Sequence, residues 1–115
     1  MTELESLRDQ VREFAAEREW DQFHSPKNLA MALSVEAGEL CEVFQWLTEA
    51  QSRGLAPEAR EAASREIADV LIYLVRLGDQ LGIDPVAAAR AKLVENARKY
   101  PVEKARGNAK KYTEL

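Results

Sequence analysis

Four acidic residues occupy places where an amphipathic helix would carry apolar ones. In "SVEAGELCEVFQW", at about 100° per residue, Leu29, Ala32, Leu33, Leu40, Val43 and Leu47 all fall within about 60° of Glu36. Glu39, three residues on, is its neighbour on the same side. A second stretch repeats the arrangement: Ala59, Ala62, Ala63, Val70, Tyr73 and Leu77 surround the direction of Glu66, and Asp69 follows three residues later. Two acid pairs therefore point inward. Ionised carboxylates in a medium of low dielectric cost several kcal/mol each, and neighbours repel, so a cation or a proton must compensate. Lys27 stands at the start of this segment and the next basic residue is Arg53, which leaves a metal as the better compensator. All the ligands on offer are hard oxygens, which suit Mg²⁺, with Mn²⁺ as a substitute. One ExxE or ExxD pair is ordinary on a solvated helix face; two, each inside an apolar stripe, point to a carboxylate metal site. Gly38, between Glu36 and Glu39, costs about 1 kcal/mol in a helix interior, which a close approach by another group would justify.

The elements that must hold these acids are helical. Leu4, Leu7, Val11, Phe14 and Ala15 follow helical spacing behind a Thr2/Glu5 capping box, predicting a first helix over about Glu3 to Glu19. Ser25 and Pro26 give an N-cap and a first-turn proline for a second helix reaching about Leu47. Gly54 and Pro57 mark a connection, and Ala59 to Leu81 reads as a long third helix stopped by Gly82. Asp84 and Pro85 open a fourth, ending near Lys99 ahead of Pro101. No strand alternation or repeat is present. The expectation is an all-α, four-helix bundle-like unit over residues 1–100, followed by a basic tail over 101–115 that a neighbour or ligand could order.

Composition narrows the classes. A chain of 115 residues is one domain's worth, and its net charge of -4, spread along the sequence, lacks the electrostatic footprint of a nucleic-acid-polymer binder. The apolar run around Val70 to Val75 is far shorter than the roughly 20 residues needed to span a bilayer. The single cysteine, Cys41, cannot form an internal disulfide and is expected to pack as a small apolar residue; with no secretory signal pattern, a cytoplasmic location is expected.

Di-iron bundles also carry inward acids, but they require two Glu-x-x-His motifs and this chain has one histidine, His24. Mg²⁺ held by a few carboxylates leaves room for substrate phosphates, so phosphoryl chemistry leads. At this point "EREWDQFHSPKNL", "EAGELCEVFQW", "EIADVLIYLVRLG" and "NARKYPVEKARGNAKKYTEL" together resemble, in order and spacing, the all-α nucleoside triphosphate pyrophosphohydrolases of the MazG-like superfamily, in their dCTP pyrophosphatase branch. The resemblance spans nearly the whole chain. It implies Mg²⁺-dependent hydrolysis of a deoxynucleoside triphosphate, dCTP or a 5-substituted dCTP, to the monophosphate and pyrophosphate.

By that resemblance Glu36, Glu39, Glu66 and Asp69 match the metal ligands and catalytic carboxylates. Lys92, Asn96, Lys99 and Tyr100 match positions facing the triphosphate. Trp20 and Trp46 match residues enclosing the base, with His24 and Tyr73 further pocket positions. Spacing alone assigns the tryptophans to the core, Lys92 and Lys99 to solvent, and His24 to bracing a loop; Asn96 needs a hydrogen-bond partner, met by a phosphate or a helix end. A single unit of this kind is implied to complete its site as a homo-oligomer, a dimer or dimer of dimers, and a surplus of apolar faces agrees. By the same resemblance, the animal relatives carry a first-helix histidine near the base, where this chain reads "LRDQVREF" with Val11 at the matching position, so base preference stays open. The alternatives are a broader pyrophosphohydrolase for noncanonical triphosphates and a non-catalytic nucleotide-binding oligomerisation module.

Overall fold

Side-chain caps and first-turn prolines set the starts of the longer helices in the computed structural model, which describes residues 1–115. Helix α1 (Glu3–Glu17) begins at the expected capping box: Thr2 Oγ1 accepts from Glu5 N–H at 3.1 Å, and Thr2 N–H donates to Glu5 Oε2 at 3.3 Å. It stops two residues before the predicted end, in a Schellman turn. Glu19 takes a left-handed φ of 54°, Trp20 N–H donates to Ala15 O at 2.9 Å and Glu19 N–H to Ala16 O at 3.1 Å. Glycine usually fills that position, and its absence hid the stop from the pattern. A 3₁₀ turn (Asp21–Phe23) then leads to Ser25, which caps α2 (Pro26–Phe44) by accepting from Asn28 N–H at 3.2 Å. Helix α2 ends at Phe44, not near Leu47.

The connection marked by Gly54 and Pro57 contains a short helix, α3 (Glu49–Arg53), started by a second capping box between Thr48 and Gln51. Helix α4 (Pro57–Leu81) starts two residues earlier than expected, with Pro57 in its first turn, and ends as predicted at Gly82, φ 66°. Helix α5 (Pro85–Lys99) is capped by Asp84, whose Oδ1 accepts from Val86 and Ala87 N–H at 2.9 and 3.1 Å. The basic tail carries a four-residue helix, α6 (Val102–Ala105), and a 3₁₀ turn (Tyr112–Glu114). The chain is all-α, with six α-helices where four were expected.

Two compact units result, Met1–Gly82 and Ile83–Leu115. In the first, α2 packs along α4 and α1 packs on α4 as well. Leu29, Ala63, Val75 and Ala15 are its buried apolar residues. Many large apolar side chains stay exposed, and Cys41 is exposed too, against the expectation that it packs. Ile67, Leu71 and Leu74 make an exposed stripe at i, i+4, i+7 on α4, and Met31 and Val35 stand exposed one turn apart on α2. In the second unit, Tyr112 packs edge-on to Tyr100 with centroids 6.0 Å apart, and Lys99 Nζ lies 4.8 Å from the Tyr112 ring centroid. No helix is long and apolar enough to cross a membrane.

Candidate active site

Packing α2 along α4 brings the acid pairs of the two helices together. Glu36 and Glu39 from α2 and Glu66 from α4 each place a carboxylate oxygen within 4.8 Å of the others. Asp69, the fourth expected ligand, lies outside this trio; it sits about 4.5 Å further along the α4 axis than Glu66. Its charge still reaches the group. Burial pushes the Glu36 carboxyl up to about 7, and the neighbouring carboxylates of Glu39, Glu66 and Asp69 push the same way.

No Lys, Arg or His forms a salt bridge with any of the four acids. Glu36 Oε2 and Glu66 Oε2 are buried and have no hydrogen-bond partner. Unpaired buried carboxylate oxygens are costly, and here two of them converge in an all-oxygen donor set. That set fits a hard divalent cation, which would supply the missing partners.

The aromatic positions are arranged by α1's end. Trp20, immediately after the left-handed Glu19, stands edge-on to Phe14 at 5.7 Å and to the His24 ring at 6.1 Å. Arg18 covers the other partner: its guanidinium lies 3.6 Å from the Phe14 ring centroid. Trp46 is 88% exposed, so it is no core residue. Tyr73, on α4, is half-buried.

In the second unit, Lys92 and Lys99 both pair with Glu95, at 3.2 Å each, and Asn96 and Tyr100 are half-buried. The close approach anticipated over Gly38 does not come from this chain, since a methyl there would meet nothing within 4 Å.

A charged network that helical spacing does not announce lies beside the aromatic group. Arg76, on α4, is 4% exposed. Its Nη2 bonds Asp21, its Nε donates to His24 Nδ1 at 3.2 Å and its Nη1 reaches Asp79 Oδ2 at 3.5 Å. Arg12, on α1, holds Asp79 with two bonds, Nε at 2.9 Å and Nη2 at 2.6 Å. An arginine inside the apolar run "LIYLVRLG" was the available signal.

A helical unit with clustered carboxylates on two packed helices defines a carboxylate-site α protein. The chain belongs to the MazG-like family, whose model matches residues 31–115. It is 47% identical to dCTP pyrophosphatase 1 of Homo sapiens over 114 residues, which is 97% of this chain and 67% of that protein. Identity to the Mus musculus protein of the same name is also 47%, and to that of Bos taurus 46%, each over 97% of this chain. Among solved structures, a pyrophosphatase from Archaeoglobus fulgidus is 41% identical with a TM-score of 0.82, covering 88% of this chain and 94% of its own.

Proposed function

We propose that this protein hydrolyses dCTP, or a 5-substituted dCTP, to the monophosphate and pyrophosphate with the help of Mg²⁺, for which Mn²⁺ substitutes. The observation that carries the reading is the convergence of Glu36, Glu39 and Glu66 with two buried oxygens unpartnered. The kinship to the dCTP pyrophosphatases over nearly all of the chain supports the choice of substrate.

Glu36, Glu39 and Glu66 would hold the ion, with Asp69 beside them. Such an ion, held there, would supply charge neutralisation on the phosphates and make water easier to deprotonate. A carboxylate of the group orients the attacking water and takes its proton. The α–β phosphoanhydride is cleaved with net addition of one water. Lys92, Asn96, Lys99 and Tyr100 serve the triphosphate, and Trp20, Trp46, His24 and Tyr73 enclose the base, for which an aromatic face is a suitable platform.

The working form is a homo-oligomer, a dimer or dimer of dimers. The exposed stripe Ile67, Leu71 and Leu74 supports this, because exposed apolar stripes of that kind ordinarily find a partner.

The direct test incubates purified protein with dCTP, 5-methyl-dCTP, dTTP, dUTP and dITP, with Mg²⁺ or Mn²⁺, and measures pyrophosphate and monophosphate. Fastest release from the cytosine nucleotides is expected. Release from none of them would end the proposal.

A further inference from the structure

The buried guanidinium of Arg76 is absorbed by nothing in the proposed chemistry. A lone buried charge is expensive, and this one is compensated from two directions: Asp79 on its own helix, and Asp21 and His24 from the 3₁₀ turn and the residue after it. Arginine has donors only. A ring nitrogen that accepts from Arg76 Nε must therefore be the unprotonated one, and in a neutral imidazole the proton then sits on the other nitrogen.

We propose that Arg76 is a positioning residue for base recognition: by donating to His24 Nδ1 it fixes the imidazole in its Nε2–H form, so that His24 offers the nucleotide base a donor and never an acceptor. This rests on the reading of His24 and Trp20 as base-pocket residues. Trp20 stands 6.1 Å from the His24 ring, centroid to centroid, so a base stacked on one lies within reach of the other.

The ring's charge state agrees with the geometry. Burial lowers the His24 pKa and the Arg76 charge lowers it further, while Asp21 opposes them. A fixed donor also has a chemical consequence at the base edge. A donor facing the N3 edge is accepted by cytosine N3, whereas thymine and uracil present N3–H there and would set two donors against each other; O2, an acceptor in all three, gives no discrimination. Arg76 thus acts on selectivity without touching the substrate.

His24 is the chain's one histidine, so its imidazole nitrogens can be read without assignment ambiguity. Long-range ¹H–¹⁵N spectra of the full chain at neutral pH are expected to show a single Nε2–H tautomer. In Arg76→Met, Asp79 keeps Arg12 and Asp21 is largely solvated, so the fold should survive. That variant should populate both tautomers, with KM for dCTP raised about twofold for an even mixture, since only the Nε2–H fraction is competent to bind. The KM for dTTP should fall, because the freed ring can present Nε2 as an acceptor to N3–H, while kcat should stay within about twofold. Arg76→Lys, which keeps the charge but lacks the Nε donor, is the second variant should Arg76→Met fail to fold, and the same tautomer mixing is expected.

A wild-type spectrum showing Nδ1–H, an unchanged tautomer in both variants, or equal KM changes for dCTP and dTTP would each overturn the inference. The tautomer is read without substrate. A protein that turns over no nucleotide yet shows the Nε2–H form lost on substitution would therefore sink the functional reading and the base-edge role while leaving the Arg76–His24 coupling standing.

Discussion

Trp20 stands edge-on to Phe14, 5.7 Å between ring centroids, because helix α1 ends in a Schellman turn that places Glu19 in the left-handed region. The contact joins the residue after the left-handed one to Phe14 in the last turn of the helix, the packing that commonly accompanies this motif. One backbone conformation thus sets the position of a proposed base-pocket residue.

Glu19 is not a glycine, and a side chain in that conformation costs about 1 kcal/mol. Glu19→Gly should raise stability by roughly 0.5–1 kcal/mol, part of the relief being offset by the freer unfolded chain. Thermal unfolding followed by circular dichroism checks this, and a lower midpoint would contradict it.

The acid cluster should behave oppositely with and without metal. Glu36→Gln or Glu66→Gln removes repulsion, so each should match or exceed wild-type thermal stability in chelator at pH 8. Each should also lose the stabilisation that Mg²⁺ or Mn²⁺ confers and reduce turnover at least a hundredfold, if the bound cation neutralises the transferring phosphates. Differential scanning fluorimetry with and without the ion, beside a pyrophosphate assay, reads both.

Because the folded-state pKa of Glu36 is raised to about 7 from an ordinary 4.5, the folded protein binds the extra proton between those values. Stability from this group is fully present below about pH 4.5 and is lost as pH rises toward 7 and above. Metal-free protein should weaken by on the order of 1 kcal/mol across that window after allowance for solvent screening. Glu36→Gln should flatten the slope, and added divalent ion should reverse it. Denaturant titrations at several pH values measure the effect.

Asp79 answers to both Arg12 and Arg76, and its carboxyl is held below the usual range chiefly by the Arg12 hydrogen bond. Its contribution is present above the unfolded-state pKa and is lost as pH falls through the lowered one. Asp79→Asn should cost about 1–3 kcal/mol, because buried Arg76 loses a counter-charge, whereas Arg12→Ala should cost less, since Arg12 itself is solvated. Equal effects from the two substitutions would argue against Asp79 as the shared partner.

Trp46 is 88% exposed, so Trp46→Ala should change stability by no more than about 0.5 kcal/mol. The KM for dCTP should rise about tenfold or more, on the scale of base–aromatic stacking. A large drop in melting temperature with KM intact would reassign this side chain to a structural role.

The sequence carried the helices whose ends are written in side chains: Thr2, Ser25 and Asp84 as caps, Gly82 as a stop. It concealed the end of α1, where a glutamate adopts the conformation a glycine would advertise. It concealed α3 as well, although Thr48 and Gln51 form a capping box like Thr2 and Glu5, because Gly54 and Pro57 spoke for a loop. The meeting of Glu36, Glu39 and Glu66 was legible from acids lodged in apolar stripes, since helical spacing alone turns them toward the neighbouring helix. Asp69's place outside the trio was not, because helical spacing alone sets it beside Glu66. The Arg76 network also escaped, as pairing across 55 residues to Asp21 leaves no local pattern.

Gly38 follows Met31 and Val35 at i+7 and i+3, on the side of α2 roughly 160° from Glu36. Both apolar residues stand exposed there, and nothing of the chain fills the space beside the glycine. The ridge of α2 is therefore lowered at the point where an incoming helix would have to cross nearest its axis. Alanine at position 38 should strengthen an isolated helix, so any loss of assembly it caused would locate that crossing to within one turn.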